Sequence, residues 1–366
     1  MLRTQLYSDG LAGLLEEHRD SLGLCHFRDP WSGLPILSRR DRTYATVYEV
    51  NGLPSVELPY TYPMIAPETL DKIRRLEDYC LDRSDAIVVP AKTIKSNLKS
   101  RGVAGGKITV IPNGADLLQK PARPPEAPGQ YLIYFGALQR WQGIDTMLRA
   151  FAMLRDRDEL HLVICSSTPE KRVRAYHRLA DKLELRSRVI WKYGLMEDEL
   201  APWRAHARLS LAPLKECTRN LDQGCSPLKI LESMAAGVPV VASDLPAVRE
   251  LVEDEMTGIL VRADRPSKLA RRIRVCLEYP ERLRSMGEKA RETVAANFTW
   301  KKAESSLEAV YRKLLDKMPS SPAEETVTEM VASHPQAQMS HPPDYRMSSS
   351  GLDKQDSVES GPYGGL

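Results

Sequence analysis

The chain reads as an α/β protein with two parallel-sheet domains, each wound with helices on both faces and both facing one cleft. The first domain is shorter than the second. Three observations carry this reading. Strand-like runs alternate with helix-like runs, the pattern of parallel sheets. A Pro-rich stretch at 117–129 (LLQKPARPPEAPG) divides a front part from a rear part. Residues 226–244 (SPLKILESMAAGVPVVASD) run from a short apolar helix through Gly237 into a buried strand.

Taken in order, the front part carries strand-like runs at 23–27, 44–50, 86–89 and 108–111, with helical runs at 67–81 and 93–100. The expected divisions are 1–117 for the front domain, 118–129 for the linker and 130–300 for the rear domain. Rear strands are expected at 131–135, 160–165, 189–192, 209–212, 238–242 and 258–261, and helices at 143–154 and 169–183. In the 226–244 segment Ser226 is a good N-cap, and Pro227 suits the first helical position, where its missing N–H costs nothing. Leu228, Leu231 and Ala235, with Ile230 and Met234 beside them, recur at helical spacing. This helix carries one acid, Glu232. Its N-terminus presents free N–H groups and a positive dipole end, which suits an anion such as a diphosphate. A helix at 301–317, with Tyr311 and Leu315 at helical spacing, is expected to cross back and brace the front domain. Residues 318–366, rich in Ser, Pro and Gly, read as a disordered tail.

Composition narrows the function. With 366 residues, 42% hydrophobic and 28% charged, the chain is long enough for two cores. A net charge of +3 is too mild to argue for nucleic acid. No apolar run approaches the roughly 18–20 residues of a membrane helix, and no signal peptide opens the sequence. The six Cys show no metal spacing, which suits free thiols in a reducing cytoplasm. The seven His are scattered, so no metal site and no cofactor are expected.

Four segments together resemble the retaining glycosyltransferases of family 4 (glycosyl transferases group 1), over about residues 23–315. They are Ile111-Pro112-Asn113-Gly114-Ala115-Asp116, the loop from Phe135-Gly136-Ala137-Leu138 to Gln142-Gly143-Ile144-Asp145, the 226–244 segment, and Glu250-Leu251-Val252 through Thr257-Gly258. The resemblance implies the GT-B fold of two Rossmann-like domains, here with an incomplete front domain. It also implies metal-independent transfer of a sugar from a nucleotide-diphosphate sugar to an acceptor hydroxyl, with retention of configuration, in glycan or glycoconjugate biosynthesis. Glu232 is similar to the family's second donor-site Glu and would hold the ribose hydroxyls, as an ionised acid accepts two hydrogen bonds at once.

The chain departs from the family pattern in three places. The first donor-site Glu falls at position 224, which is Gly224; Asp222, Asn220 or the amides of Cys225 and Ser226 are the available replacements. The loop Arg and Lys fall at Ala137 and Gln142, between Gly136 and Gly143. Arg140 and Lys229 are the substitute cations for the leaving diphosphate, a task in which preorganised charge counts heavily. The family's opening strand and Gly-rich loop are not found ahead of residue 23. On the acceptor side Asn51 is similar in position to a family His, and His26 also ends a strand facing the cleft. Acceptors would be carbohydrate or lipid-linked. The cations Lys92, Lys95, Lys99 and Arg101 read as a solvated face, and the family's use of lipid-linked acceptors adds the option of peripheral contact with the inner face of the membrane.

Plainer readings stand beside these. Lys229 and Glu232, three apart on a helix, also fit a solvated pair worth about 0.2–0.5 kcal/mol. Gly136 and Gly143 also fit turn punctuation, Asn113-Gly114 a structural turn, and His26 a satisfied strand end. With the departures above, a non-catalytic nucleotide-sugar-binding or partner-binding protein of the same fold is the main rival. A sugar-nucleotide epimerase is a weaker one.

Overall fold

The computed structural model describes residues 2–117 and 119–317; the expected tail at 318–366 lies outside them. The chain begins with α1 (Leu2–Glu17), β1 (Leu24–Phe27), α2 (Pro30–Ser38), β2 (Ala45–Glu49), α3 (Pro54–Thr61), α4 (Pro67–Arg83), β3 (Ala86–Val89), α5 (Lys92–Ser100) and β4 (Ile108–Val110). The four strands pair in parallel in the order β1-β2-β3-β4. Every crossover steps the same way, so this sheet has no point at which strand order reverses.

The rear part follows as β5 (Gln130–Gly136), α6 (Ile144–Ala152), β6 (Leu160–Ser166), α7 (Arg174–Lys182), β7 (Val189–Tyr193), α8 (Glu197–Ala205), β8 (Leu209–Ala212), α9 (Leu228–Ala235), β9 (Val240–Ser243), α10 (Pro246–Arg249), β10 (Ile259–Val261), α11 (Pro266–Glu278), α12 (Pro280–Asn297) and α13 (Trp300–Leu315). Its six strands are parallel in the order β10-β9-β8-β5-β6-β7. Strand order reverses between β5 and β8, which opens a crevice at their carboxyl ends.

Burial explains the strands. β5 is apolar on both faces: Leu132 and Tyr134 pack with Ile144, Met147 and Phe151 of α6, while Tyr131, Ile133 and Phe135 pack with Trp203 of α8. Such two-sided burial is what a central parallel strand requires. In the front sheet Tyr48, Ile87 and Val89 face the core formed with α2, α4 and α5. Val47 and Val88 face the other way, onto Val310 with Leu307, Tyr311 and Leu314 of α13. The last helix therefore covers one face of the front sheet.

Three details depart from the expectations. Pro227, with extended ψ 100, is the N-cap of α9 and has no side-chain cap; the helix starts at Leu228, and Ser226 does not cap it. The expected helix at 169–183 is a short 3-10 turn at Glu170–Arg172 followed by α7. The expected solvated basic face is partly spent internally. The Arg101 side chain is 9% exposed and pairs with Glu77 at 2.9 Å and Asp78 at 2.5 Å. Lys95 Nζ donates to the Ile108 carbonyl at 2.7 Å.

Candidate active site

The site follows from the reversal between β5 and β8. The loop after β5 (137–143) and the segment after β8 (213–227) meet there. Gly143 turns with φ 70, and a Cβ at that position would sit 1.8 Å from the Pro213 carbonyl oxygen. Only glycine fits so close a backbone approach. The Trp141 carbonyl then accepts from Lys215 N at 2.9 Å and Asn220 Nδ2 at 3.0 Å, tying the two loops together.

Lys229, in the first turn of α9, reaches into this junction. It is 9% exposed. Its ammonium donates to Gln142 Oε1 at 2.5 Å and lies 4.9 Å from the centre of the Tyr134 ring. Gly136 (φ 111) leaves open the space beside it, where a Cβ would stand 3.8 Å from Nζ. Burial holds the lysine's pKa down to about 8, against the pull of Cys225 and Glu232. Lys229 is thus a buried cation at the end of β5, not half of a solvated surface pair.

One turn on, Glu232 faces Arg204 of α8, with Oε2 3.8 Å from Nη1; its side chain is 20% exposed. Cys225 is buried, which pushes its thiol pKa up. The Ser226 hydroxyl is shielded and unpartnered, and the Ser226 carbonyl accepts from Asn113 Nδ2 at 3.3 Å. A cavity of about 260 Å³ opens beside these two residues, bounded by Pro90, Lys92 and Pro112 of the front part and by Glu250 of the rear. Arg140, on the loop after β5, and Asp222, on the segment after β8, are exposed.

Gly224 carries φ 86, and a Cβ there would meet Thr93 Cγ2 at 2.8 Å and the Ile94 amide at 3.2 Å. The position lies against the start of α5 in a left-handed conformation that L side chains rarely adopt. Its π-helical run-in, Arg219–Gln223, is bound to the front part. Gln223 Oε1 accepts from Leu53 N at 2.9 Å, Gln223 Nε2 donates to Glu57 Oε1 at 2.9 Å, and Arg219 Nε donates to the same oxygen at 3.1 Å. Trp141 stands edge-on to Tyr60 at 5.5 Å. Glu250 completes this contact. Its carboxylate accepts from Lys92 N at 2.6 Å and from the Thr93 amide and hydroxyl at 2.8 and 2.7 Å. The α5 N-terminus has no side-chain cap of its own, so an acid from the rear part supplies one.

On the front side Glu49 joins the two predicted residues, Asn51 and His26. It accepts from Asn51 Nδ2 at 2.6 Å, pairs with Arg28 at 3.2 Å, and faces His26 Nε2 at 3.1 Å with poor hydrogen-bond alignment. Tyr311 of α13 meets His26 Nδ1 at 2.5 Å. Burial disfavours the Glu49 carboxylate, yet His26, Asn51 and Arg28 outweigh it and hold its pKa below the ordinary value. Among the described residues no cluster of three or more His, Cys, Asp or Glu is placed to hold a metal ion, and no helix is long and apolar enough to cross a membrane.

Comparison with known proteins agrees with this architecture. A model of the family described as Glycosyltransferase Family 4 matches residues 6–118, and one described as Glycosyl transferases group 1 matches residues 129–279. The lipopolysaccharide core biosynthesis mannosyltransferase LpcC of Rhizobium leguminosarum bv. viciae is 33% identical over 57% of this chain and 60% of its own length. The D-inositol 3-phosphate glycosyltransferase of Corynebacterium aurimucosum is 28% identical over 67% of this chain and 60% of its own. The chain thus spans about three fifths of these two relatives. Among solved structures, sucrose-phosphate synthase from Thermosynechococcus elongatus superposes with a TM-score of 0.70 at 22% identity, over 84% of this chain and 77% of its own. Anabaena Alr3699/HepE in complex with UDP-glucose gives 0.67 at 17%, over 82% and 81%. These likenesses show the fold. With both halves matched, the chain belongs to the family 4 glycosyltransferases (glycosyl transferases group 1), with the two parallel-sheet domains of the GT-B fold.

Proposed function

We propose that the protein is a glycosyltransferase that moves a sugar from a nucleotide-diphosphate sugar to an acceptor hydroxyl, with retention of configuration and without a metal. The observation that carries this reading is the buried ammonium of Lys229 at the carboxyl end of β5, with Glu232 one turn further along α9. A cation held in a low-dielectric pocket attracts a diphosphate more strongly than one in water. In the proposed site Lys229, with the amides at the start of α9 and around Gly136, receives the diphosphate. Glu232 accepts from the ribose hydroxyls. Arg140, free of the core, would reach the phosphates only on loop closure. Asn51, held by Glu49, and His26, held by Tyr311, face the acceptor, which is a carbohydrate or a lipid-linked glycan on the cytoplasmic side.

The position the loop cation occupies in the family is Gln142 here, and Gln142 holds Lys229. This supports the same charge delivered from α9 instead of from the loop. The direct test is incubation with a panel of nucleotide sugars and candidate acceptors, scoring nucleotide release and product. Release with an acceptor product, lost in Glu232→Ala, supports transfer. A new sugar isomer would point to an epimerase. Binding without turnover would favour a non-catalytic binding protein, a reading for which Gly224, wedged against Thr93 where the family carries an acid, is the specific support.

A further inference from the structure

Arg204 has no part in the reading above, yet its placement is costly. It lies in the last turn of α8 and is only 5% exposed. Its guanidinium donates to Glu197 at 2.5 and 3.4 Å, stands over the Phe135 ring at 5.5 Å, and approaches Glu232 Oε2 to 3.8 Å, while its Nε is buried without a partner. A buried guanidinium is tolerated when acids surround it, and a single acid, Glu197, would satisfy it at the protein surface. Here it is drawn inward, over Phe135 of β5, between two carboxylates, Glu197 of its own helix and Glu232 of α9. We propose that Arg204 is the positioning residue for Glu232. Its positive charge holds that carboxylate turned, so that its oxygens are presented to the hydroxyls of a nucleotide ribose. The proposal rests on the reading of Glu232 as the ribose-holding acid.

The test is the preference for ribose over deoxyribose, which packing alone would not change. Affinities for UDP, GDP and ADP, and for dUDP, dGDP and dADP, are measured by calorimetry on the full chain. For whichever base binds, the wild type should favour the ribonucleotide by roughly tenfold or more, the worth of one hydrogen bond to a charged acceptor. Arg204→Met and Arg204→Gln should lower that preference to within about threefold while leaving the deoxynucleotide affinity nearly unchanged. Arg204→Lys, which restores the charge, should recover part of it. The Gln variant keeps a donor for Glu197, so it serves if the Met variant does not fold. A preference unchanged in both neutral variants, or both affinities falling equally, overturns the proposal. If Glu232→Gln abolishes the preference and the Arg204 variants keep it, only the role of Arg204 falls. No preference in the wild type, or no binding of any of the six, removes the Glu232 reading and Arg204's role with it.

Discussion

Lys229 makes the most demanding prediction, because its pKa of about 8 lies where a binding assay can follow it. A lysine with that pKa is about 90% charged at pH 7 and about 10% at pH 9. If a diphosphate binds the ammonium form, nucleoside diphosphate affinity should fall about tenfold between these values, and about tenfold for each further unit until the pKa of the complex is reached. Binding at pH 8 should also take up about half a proton, read from calorimetry in buffers of different ionisation heat. Burial sets this titration first, with Cys225 and Glu232 raising the pKa and Arg219 lowering it through charge, while Gln142 and Tyr134 stand beside the ammonium. Lys229→Met should bind weakly at every pH and without proton uptake. Its stability should move the other way. The folded pKa lies below the unfolded value of 10.5, so the unfolded chain binds more protons between about pH 8 and 10.5, and wild-type stability rises with pH across that window. The buried charge costs about 3 kcal/mol at neutral pH on this basis. Lys229→Met should therefore melt at or above the wild-type temperature at pH 7, with the gap closing toward pH 10. A wild type that binds nucleotide with no proton uptake at pH 8, or a Met variant with the same pH slope, would refute the reasoning.

Three further outcomes follow, two of them from the contacts between the front and rear parts. Gly224→Glu, which restores the acid that the family carries, should destabilise by about 2 kcal/mol or more through its left-handed φ and the Thr93 clash, and should not improve donor affinity; thermal unfolding and calorimetry check both. Glu250→Ala should remove the cap of α5, at about 1 kcal/mol, and speed hydrogen exchange at the Lys92 and Thr93 amides. Glu49→Gln should leave nucleotide affinity unchanged while lowering turnover with acceptor. It should also flatten acid sensitivity, because a carboxylate with a depressed pKa stabilises above its unfolded pKa and loses that stabilisation as pH falls through the folded one.

The elements legible in the sequence were those whose own residues decide them. β5 reads as a core strand because it is apolar on both faces, and α9–β9 because apolar period, Gly237 and a β-branched run coincide. The helices α1, α2 and α3 did not read. α1 leaves Leu6 and Leu14 more than half exposed, α2 carries Pro35 inside, and α3 carries Pro59 and no buried residue. The candidate site divides in the same way. Lys229 and Glu232 stood out because they share one short motif. Glu49, Arg204 and Glu250 draw their meaning from partners brought close by folding: Tyr311 and His26 are 285 positions apart, and Thr93 and Glu250 are 157 apart. The Ser226 cap failed for a local reason, since extended Pro227 took the capping position.

The most direct test of the account is a crystal structure of the protein soaked with the nucleoside diphosphate it binds best. The expected result places the phosphates against Lys229 and Gly136 and the ribose hydroxyls within hydrogen-bond distance of Glu232. Nucleotide seated elsewhere, with Lys229 still closed on Gln142 and Glu232 still facing Arg204, would contradict it.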